Sequence, residues 1–449
     1  MGSQSSSQLY TATSTKIKTL VCFFIFTGIL HFCPASSLAI PGKDFPIYSV
    51  IKKNVTFWEK IYDHYSRQEA VVHDKNDLSI IYEIIPLLDS QLPGAARINN
   101  IHIKETLKKY QTILQKIAIR GKPVTSEEKR IYSLFKNPDR LKKLETAIDN
   151  IRIQGGLKER FRQGVILSGK YLSEIKRIFI GHGLPVELAY LPHIESSFIN
   201  NAHSKAGARG IWQFTRSTGK QYLRISSIID ERKDPIIAAD AAARYLKKSY
   251  QKLGSWPLAI TSYNYGLAGM KRAQEAFGSY PNIFTHYREG YFKFASRNFY
   301  PEFIAAYNVA KKLEKSGNLT MDQPQKYYYL TLPGYISVAT VARQFKLPDR
   351  VIADYNPAFL APILKGEKHI PKGYKLRLPQ TQLTRKGIAA IPKSAFAAKQ
   401  KPGKYYIVKG GDTAGAIACK HGVPLTRLIR LNNLGAGGAI YIGQKLRLP

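Results

Sequence analysis

The chain has 449 residues, of which 44% are hydrophobic and 11% aromatic. That composition excludes a disordered polymer and supplies apolar material for several domain cores. Its formal net charge is +37, from 68 basic against 31 acidic residues, which asks for a polyanionic neighbour: nucleic acid, an acidic membrane surface or an anionic wall polymer.

The basic residues run along the whole chain, without zinc-finger spacing or an RNA-recognition signature, so no nucleic-acid partner is expected. Residues 1–39 read as a signal peptide. Lys16 and Lys18 precede an apolar run over 19–30, and Ser37-Leu38-Ala39 offers the small residues of a cleavage site. The run is shorter than an ordinary membrane span; retention as an anchor is the alternative. The expected location is therefore the periplasm or cell envelope, with peripheral or anchored membrane association open. Cleavage after Ala39 would remove Cys22 and Cys33 and leave Cys419 alone, so no internal disulfide is expected. Cys419 lies in an apolar helical stretch and reads as a packing residue.

Residues 40–155 read as a helical N-terminal region. Residues 78–85 form one dense apolar segment, and 101–155 space Ile and Leu among Lys, Glu and Arg as amphipathic helices do. No chemistry-bearing constellation appears there, and the expected role is support. Residues 156–320 are also helical, with clearer punctuation. Gly181-His182-Gly183-Leu184-Pro185 is a break. Asp234-Pro235 is a helix start, with an N-cap side chain and Pro at the first position. That helix should end at Gly254, and the next, from Trp256, near Tyr265-Gly266.

Short strands are expected at 327–332 and 405–408. Two segments end in the same pentapeptide, at 375–379 and 445–449, and align further upstream through Gly334 with Gly410, Pro348 with Pro424 and Asn356 with Asn432. Each copy, 325–379 and 404–449, reads strand, helix, helix, strand. The first copy carries extra residues in its last loop. Residues 380–403, rich in Lys, Ala, Gln and Pro, read as a linker.

The stretch from Gly183 to Phe198 carries the chemistry. Leu184, Leu188, Leu191 and Ile194 lie on one apolar helical face, and Glu195 follows at the end of that helix. The negative end of the helix dipole and the apolar neighbours should both raise its pKa, as a general acid at neutral pH requires. Downstream, Trp212 offers an aromatic face and Gln213 an amide that both donates and accepts. Ser262-Tyr263-Asn264 adds a polar and aromatic group at a helix end. A sugar chain, with apolar ring faces and equatorial hydroxyls, needs that mixture.

In order, Glu195-Ser196, Gly210-Ile211-Trp212-Gln213 and Ser262-Tyr263-Asn264 resemble the motifs of lytic transglycosylases of the goose-type lysozyme superfamily. The nearest pattern is the membrane-bound lytic murein transglycosylase D group, with C-terminal LysM modules. Ser262 stands where that family more often has Ala. The resemblance implies a mainly α fold: an α-helical lysozyme-like catalytic domain over 156–320, a helical N-terminal region and two small βααβ LysM-like modules. It implies cleavage of the β-1,4 bond between N-acetylmuramic acid and N-acetylglucosamine in peptidoglycan glycan strands, leaving 1,6-anhydro ends. A single glutamate, Glu195, serves as acid and then base. Ser196 would orient it, and Trp212, Gln213, Tyr263, Asn264 and Tyr300 would line the substrate site. A lysozyme-like hydrolase of the same bond and a non-catalytic wall-binding protein are the alternatives.

The second repeat resembles a LysM module, and the resemblance implies glycan contacts near Gly411, Asp412, Thr413, Asn432 and Asn433. The first repeat is a degenerate copy, with Pro357 in place of the second asparagine. Glu187 is about 12 Å from Glu195 along a continuous helix, too far for a paired carboxylate. Asp230, Glu231 and Asp234 cluster in one loop, where Asp234 reads as an N-cap. His182, His193 and His203 lack metal spacing. No metal and no cofactor is called for.

Overall fold

A computed structural model describes residues 43–136, 138–402, 405–435 and 437–448; the expected signal peptide, with Cys22 and Cys33, lies outside the described residues. Helix α1 (Lys52–Asp63) buries Val55, Trp58, Ile61 and Tyr62 along one face. Strands β1 (Glu69–Asp74) and β2 (Ile81–Pro86) follow, then helices α2 (Ala95–Arg120), α3 (Ser126–Leu134) and α4 (Arg140–Ala147), then strand β3 (Ile151–Gly155). The strands form an antiparallel sheet in the order β2-β1-β3, with Val71 opposite both Ile84 and Gln154. This corrects the all-helical reading of 40–155. A short apolar run does not by itself tell a strand from a buried helix segment; pairing with β1 decides for β2. Tyr110, Leu114 and Ile117 of α2, with Ile131 and Leu144, cover the sheet in a core of their own.

The second half of the helical region comprises α5 (Lys158–Ser168), α6 (Leu172–Gly181), a 3-10 turn (Val186–Tyr190), α7 (Pro192–Glu195), α8 (Arg216–Gly219), α9 (Pro235–Leu253), α10 (Trp256–Tyr265), α11 (Leu267–Phe277), α12 (Tyr280–His286) and α13 (Phe294–Lys315). Helix ends follow the sequence punctuation. The Asp234 carboxylate accepts from the amides of Ile236 and Ile237 with Pro235 first in α9, and Gly254 closes that helix at φ 64°. Alanines 238, 239, 241, 242 and 243 are all fully buried, so α9 lies close against α6 and α10. Helix α13 is the central post: Tyr300, Phe303, Ile304, Ala305 and Ala306 are fully buried, and α1, α5, α7 and α10 pack on it. Phe45, Val55, Trp58 and Ile61 thus share one core with the helices of 156–320, and no packing boundary falls at residue 155.

The C-terminal part holds β4 (Tyr327–Thr331), α14 (Val338–Phe345), α15 (Asp349–Tyr355), α16 (Ala361–Leu364), β5 (Lys375–Pro379) and α17 (Gln382–Ala389), then β6 (Tyr405–Ile407), α18 (Ala414–Lys420), α19 (Leu425–Leu431) and β7 (Lys445–Arg447). β4 pairs with β5 and β6 with β7, both antiparallel. Each repeat is therefore βααβ, and α16 lies in the first copy's longer last loop. Residues 380–402 are not a free linker. α17 packs on α14, Ala397 pairs with Tyr335, and Ile388, Ile391 and Phe396 join the first repeat's core. Cys419 is exposed; its neighbours Ile417 and Ala418 take the inner face of α18, which corrects the packing role. Among the described residues no helix is long and apolar enough to cross a membrane.

Candidate active site

Glu195 is the last residue of α7. The expected apolar face is real: Leu184, Leu188 and Leu191 are buried and Ile194 packs against the same core. The continuous helix is not. A 3-10 turn gives way to one four-residue helix, too short to build a large dipole. Burial alone pushes the Glu195 carboxyl up to about 8, since no charge or hydrogen bond among the described residues offsets it. The side chain still reaches the surface in part, so the acid is protonated at neutral pH and accessible.

The backbone around it is held in a sparsely populated conformation. Ser197 and Phe198, directly after the Glu195-Ser196 pair, have φ 53° and 54°, and Gln213 has φ 48°. Such left-handed non-glycine residues cost roughly 1–3 kcal/mol each and cluster at functional sites. The fold supplies the restraint. Ser196 Oγ donates to the Ile211 carbonyl at 3.0 Å, tying the Glu195 turn to the Gln213 loop. Gly164 of α5 lies under that turn, where a Cβ would come within 2.8 Å of the Ser197 carbonyl. Gly210, at φ 74°, meets the Arg232 carbonyl so closely that a Cβ would sit 1.9 Å away. Only glycine fits either place.

Two expected substrate residues have free polar groups. Gln213 Nε2 donates to the Gly210 carbonyl at 2.7 Å, which leaves its carbonyl oxygen uncommitted among the described residues. Asn264 is exposed, and its Oδ1 accepts from Ser296 Oγ at 2.7 Å, leaving its amide N–H groups free. Tyr263 stands beside Glu195: its hydroxyl donates to the Trp212 carbonyl at 2.9 Å, and burial together with the Glu195 charge pushes its pKa well up.

Three expected substrate residues are placed otherwise. Trp212 is fully buried, stacks on Phe179 with ring centroids 5.6 Å apart and donates to the Pro235 carbonyl; it is core, not a sugar platform. Tyr300 is fully buried, with its hydroxyl on the Pro46 carbonyl at 3.0 Å, because its side of α13 faces the N-terminal segment. Ser196 is buried and bonded to backbone carbonyls, so it positions the turn rather than touching Glu195 or a sugar. Ser262 donates to the Ala259 carbonyl within its own helix, which absorbs the extra hydroxyl.

The loop carboxylates are all engaged. Asp230 grips Arg232 through two bonds of 2.9 and 2.7 Å, Glu231 accepts from the Arg224 amide, and Asp234 caps α9. His193 is sandwiched among Phe161, Tyr190 and Phe198, and burial lowers its pKa to about 3; it is a neutral core residue. Among the described residues no group of three or more His, Cys, Asp or Glu could hold a metal.

Sequence reasoning missed Glu302 of α13. It lies in the field of Glu195, and burial, with that charge second, pushes it to about 8. The two carboxyls are 107 positions apart in the chain; the one available signal was an acidic residue within the otherwise apolar stretch from Phe299 to Ala306.

In the second repeat, a groove of ≈ 350 Å³ runs between Asp412–Gly415 and Gly437–Ile440, walled by Leu425 and Ile429. Thr413 caps α18 from one lip, and Asp412 accepts from the Tyr406 hydroxyl and the Lys409 amide at 2.8 and 2.7 Å. Gly411 supplies the turn at φ 83°. Asn432 does not line the groove: its amide donates to the Leu428 and Arg447 carbonyls at 2.9 and 2.8 Å, latching α19 to β7. Asn433 is exposed at φ 51°, also outside the lining.

A mainly helical, lysozyme-like domain that presents one unpartnered glutamate between two strained turns, followed by βααβ modules, defines the class: a chain with a transglycosylase domain and LysM-type modules. Residues 180–283 match the family described as Transglycosylase SLT domain, and residues 406–449 match the LysM domain. The chain is homologous to membrane-bound lytic murein transglycosylase D of Escherichia coli (strain K12), with 28% identity over 279 residues, 59% of this chain and 60% of that protein. A putative tributyltin chloride resistance protein of Alteromonas sp. (strain M-1) is 37% identical over 92 residues, 20% of this chain and 44% of that one. Among solved structures, an inactive mutant of the lytic transglycosylase Slt from Pseudomonas aeruginosa aligns with a TM-score of 0.26 and 14% identity, over 34% of this chain and 25% of that one.

Proposed function

We propose that the protein is a peptidoglycan lytic transglycosylase of the cell envelope, cleaving the bond between N-acetylmuramic acid and N-acetylglucosamine and leaving 1,6-anhydro ends. The observation that carries this reading is Glu195: half-buried, without an ionic partner and raised to about 8 by burial. Protonated at neutral pH, it donates to the glycosidic oxygen as that bond breaks. The substrate's own acetamido group stabilises the developing cation. Glu195, now a carboxylate in an unfavourable site, takes the proton of the muramic C6 hydroxyl as that oxygen closes on C1. Gln213 and Asn264 supply hydrogen bonds to the sugar, and Tyr263 walls the site.

Glu302 does not turn this into a two-carboxylate hydrolase. A base that activates water must be ionised, and Glu302 is itself raised to about 8, so it is mostly neutral at pH 7. In this reading the expected signal peptide directs the chain to the wall, the groove of the second repeat holds glycan, and the surplus of positive charge favours anionic wall and membrane surfaces. The test is digestion of purified sacculi with mass analysis. Wild type releases anhydro-muropeptides and Glu195→Gln releases none. Products one water heavier would establish a hydrolase, and near-normal turnover by Glu195→Gln would remove Glu195 from the mechanism.

A further inference from the structure

The β4-β5 pair of the first repeat has two faces, since successive side chains of a strand point to opposite sides. Leu376 and Leu378 turn into the repeat's own core, and Leu330 packs against it. The other face bears Tyr327 opposite Pro379, Tyr329 opposite Arg377 and Thr331 opposite Lys375. It turns towards α6 and α9 of the catalytic half without closing on them. A hollow of ≈ 410 Å³ is left, with Tyr329, Tyr374 and Lys375 on one side and Arg177, Arg224 and Ile237 on the other. A second hollow, of ≈ 280 Å³, adjoins it. The two share Glu174 and Ile236, and Tyr171 and Tyr327 wall the second. Glu195 lines neither.

The lining combines aromatic and aliphatic surface with polar groups that have bonds to spare. Tyr329 is 49% exposed, and Ile178, Ile236 and Ile237 supply the apolar wall. Tyr374 is only 5% exposed, yet its hydroxyl has no partner, a costly state for a buried polar group. Glu231 spends one carboxylate oxygen on the Arg224 amide at 2.6 Å; among the described residues its other oxygen and the Arg224 guanidinium are uncommitted.

Charge narrows the ligand. Arg377 is neutralised from behind by Asp234, and Arg177 by Glu174. Glu231 and Asp240 then stand against Arg224 and Lys375, so the hollow carries no surplus of either sign to draw an ion. Two adjoining hollows suit an elongated ligand. A neutral chain with apolar ring faces and hydroxyls that both donate and accept meets each requirement: rings on Tyr329 and the isoleucines, hydroxyls to Glu231, Arg224 and Tyr374.

We infer that this junction is a second glycan-holding site, binding a stretch of β-1,4-linked N-acetylhexosamine units apart from both Glu195 and the groove of the second repeat. The choice of sugar rests on the proposed glycan cleavage. The first repeat then grips the wall by its sheet face together with the catalytic half, and two linked weak sites on one chain raise its residence there.

The test is a titration of the full chain, with labelled isoleucine methyl groups, by a β-1,4-linked N-acetylglucosamine oligomer followed by NMR. The methyl signals of Ile178, Ile236 and Ile237 should shift saturably, and those of Ile429 and Ile440 report the second repeat's groove separately. In Tyr329→Ala/Arg224→Gln the Kd read at the first three should rise about tenfold, while that read at Ile429 and Ile440 holds, which shows that the loss is local. Tyr374→Phe removes only the unpartnered hydroxyl. It should keep or raise the melting temperature and still weaken binding at the three isoleucines about fivefold, an effect that a purely structural tyrosine would not give. Absence of shifts at those isoleucines, or an unchanged Kd in both variants, overturns the site. Inorganic phosphate shifting the same methyls with an equal midpoint overturns the sugar assignment. Saturable shifts in a protein that releases no anhydro product uphold the site and remove the transglycosylase reading instead.

Discussion

The two C-terminal repeats are built alike and placed differently. Both use the same asparagine latch. Asn356 donates to the Ile352 and Arg377 carbonyls and accepts from the Arg377 amide; Asn432 does the same with Leu428 and Arg447. In the second repeat the groove between the loops is open. In the first, the chain fills the equivalent place with its own next segment. Tyr335 and Ala397 exchange two backbone bonds of 2.9 and 2.7 Å, the Gln400 amide grips the His369 backbone at 2.7 and 2.9 Å, and Phe396 lies against Gly334.

The first repeat is also joined to the catalytic half. The Asp230 amide donates to the Ala358 carbonyl and the Leu360 amide to the Ile228 carbonyl, at 2.9 and 3.0 Å. Ile229 sits in the repeat's core, and Arg377 forms a fully buried ion pair with Asp234, the cap of α9. The same latch makes the same fold; what covers the loops sets the two repeats apart.

The largest test of that contrast is at the aligned arginines. Arg377→Met leaves the Asp234 carboxylate buried without its cation and should cost about 3–5 kcal/mol in denaturant unfolding. Arg447→Met, on the exposed side of β7, should cost under about 0.5 kcal/mol. Equal losses would mean that the first repeat is not anchored through this pair.

Next come the latches. Asn356→Ala and Asn432→Ala should each destabilise by about 1–3 kcal/mol by leaving backbone groups unpaired, more in the buried first repeat. An Asn432→Ala protein of normal stability that no longer binds N-acetylglucosamine oligomers would return Asn432 to the groove.

The same contrast between a satisfied and an unsatisfied buried charge separates Asp234 from Glu195. The Glu195 carboxyl is raised from 4.5 to about 8, so the folded state holds the proton more tightly than the unfolded chain. The stability this contributes is present at low pH and is lost as pH rises from about 4.5 to 8. Glu195→Gln should therefore be more stable than wild type at pH 8 by about 1–3 kcal/mol, with the gap vanishing near pH 4. An equal gap at both pH values would show that the carboxyl is not raised.

A last, local effect is expected at Gly438. A side chain there meets Ala414 and Ile429 at 3.3 and 3.4 Å, at φ 61°, and fills the open groove much as Phe396 and Ala397 cover the first. Gly438→Leu should weaken glycan-oligomer binding about tenfold, roughly 1.4 kcal/mol. It should leave the alkaline fall of activity on short glycans centred near the Glu195 value of about 8. A shifted midpoint would couple the second repeat to the active site.

Local rules made much of this protein legible before its structure. Asp234 and Pro235 start α9 and Gly254 ends it, because caps and left-handed glycines act through a few neighbouring atoms. The repeat was readable because its latch, turn and strand residues recur at matching places. The order of Glu195, Gln213 and Asn264 marked the candidate site because the order of a motif is written in the sequence itself. Three things were not legible. β2 became a strand only by pairing with β1, since an apolar run carries no partner information. Residues 380–402 became part of the first repeat, although their composition is that of a linker. Trp212 and Tyr300 turned inward and Glu302 arrived beside Glu195, because side-chain direction and long-range electrostatics depend on how α13, α9 and the Gly210 loop pack. The sequence by itself determined the helix ends at Asp234, Gly254 and Gly266, the repeats and the candidate for the acid. Only the tertiary structure decided what burial does to that acid, and which of two like modules has its groove covered.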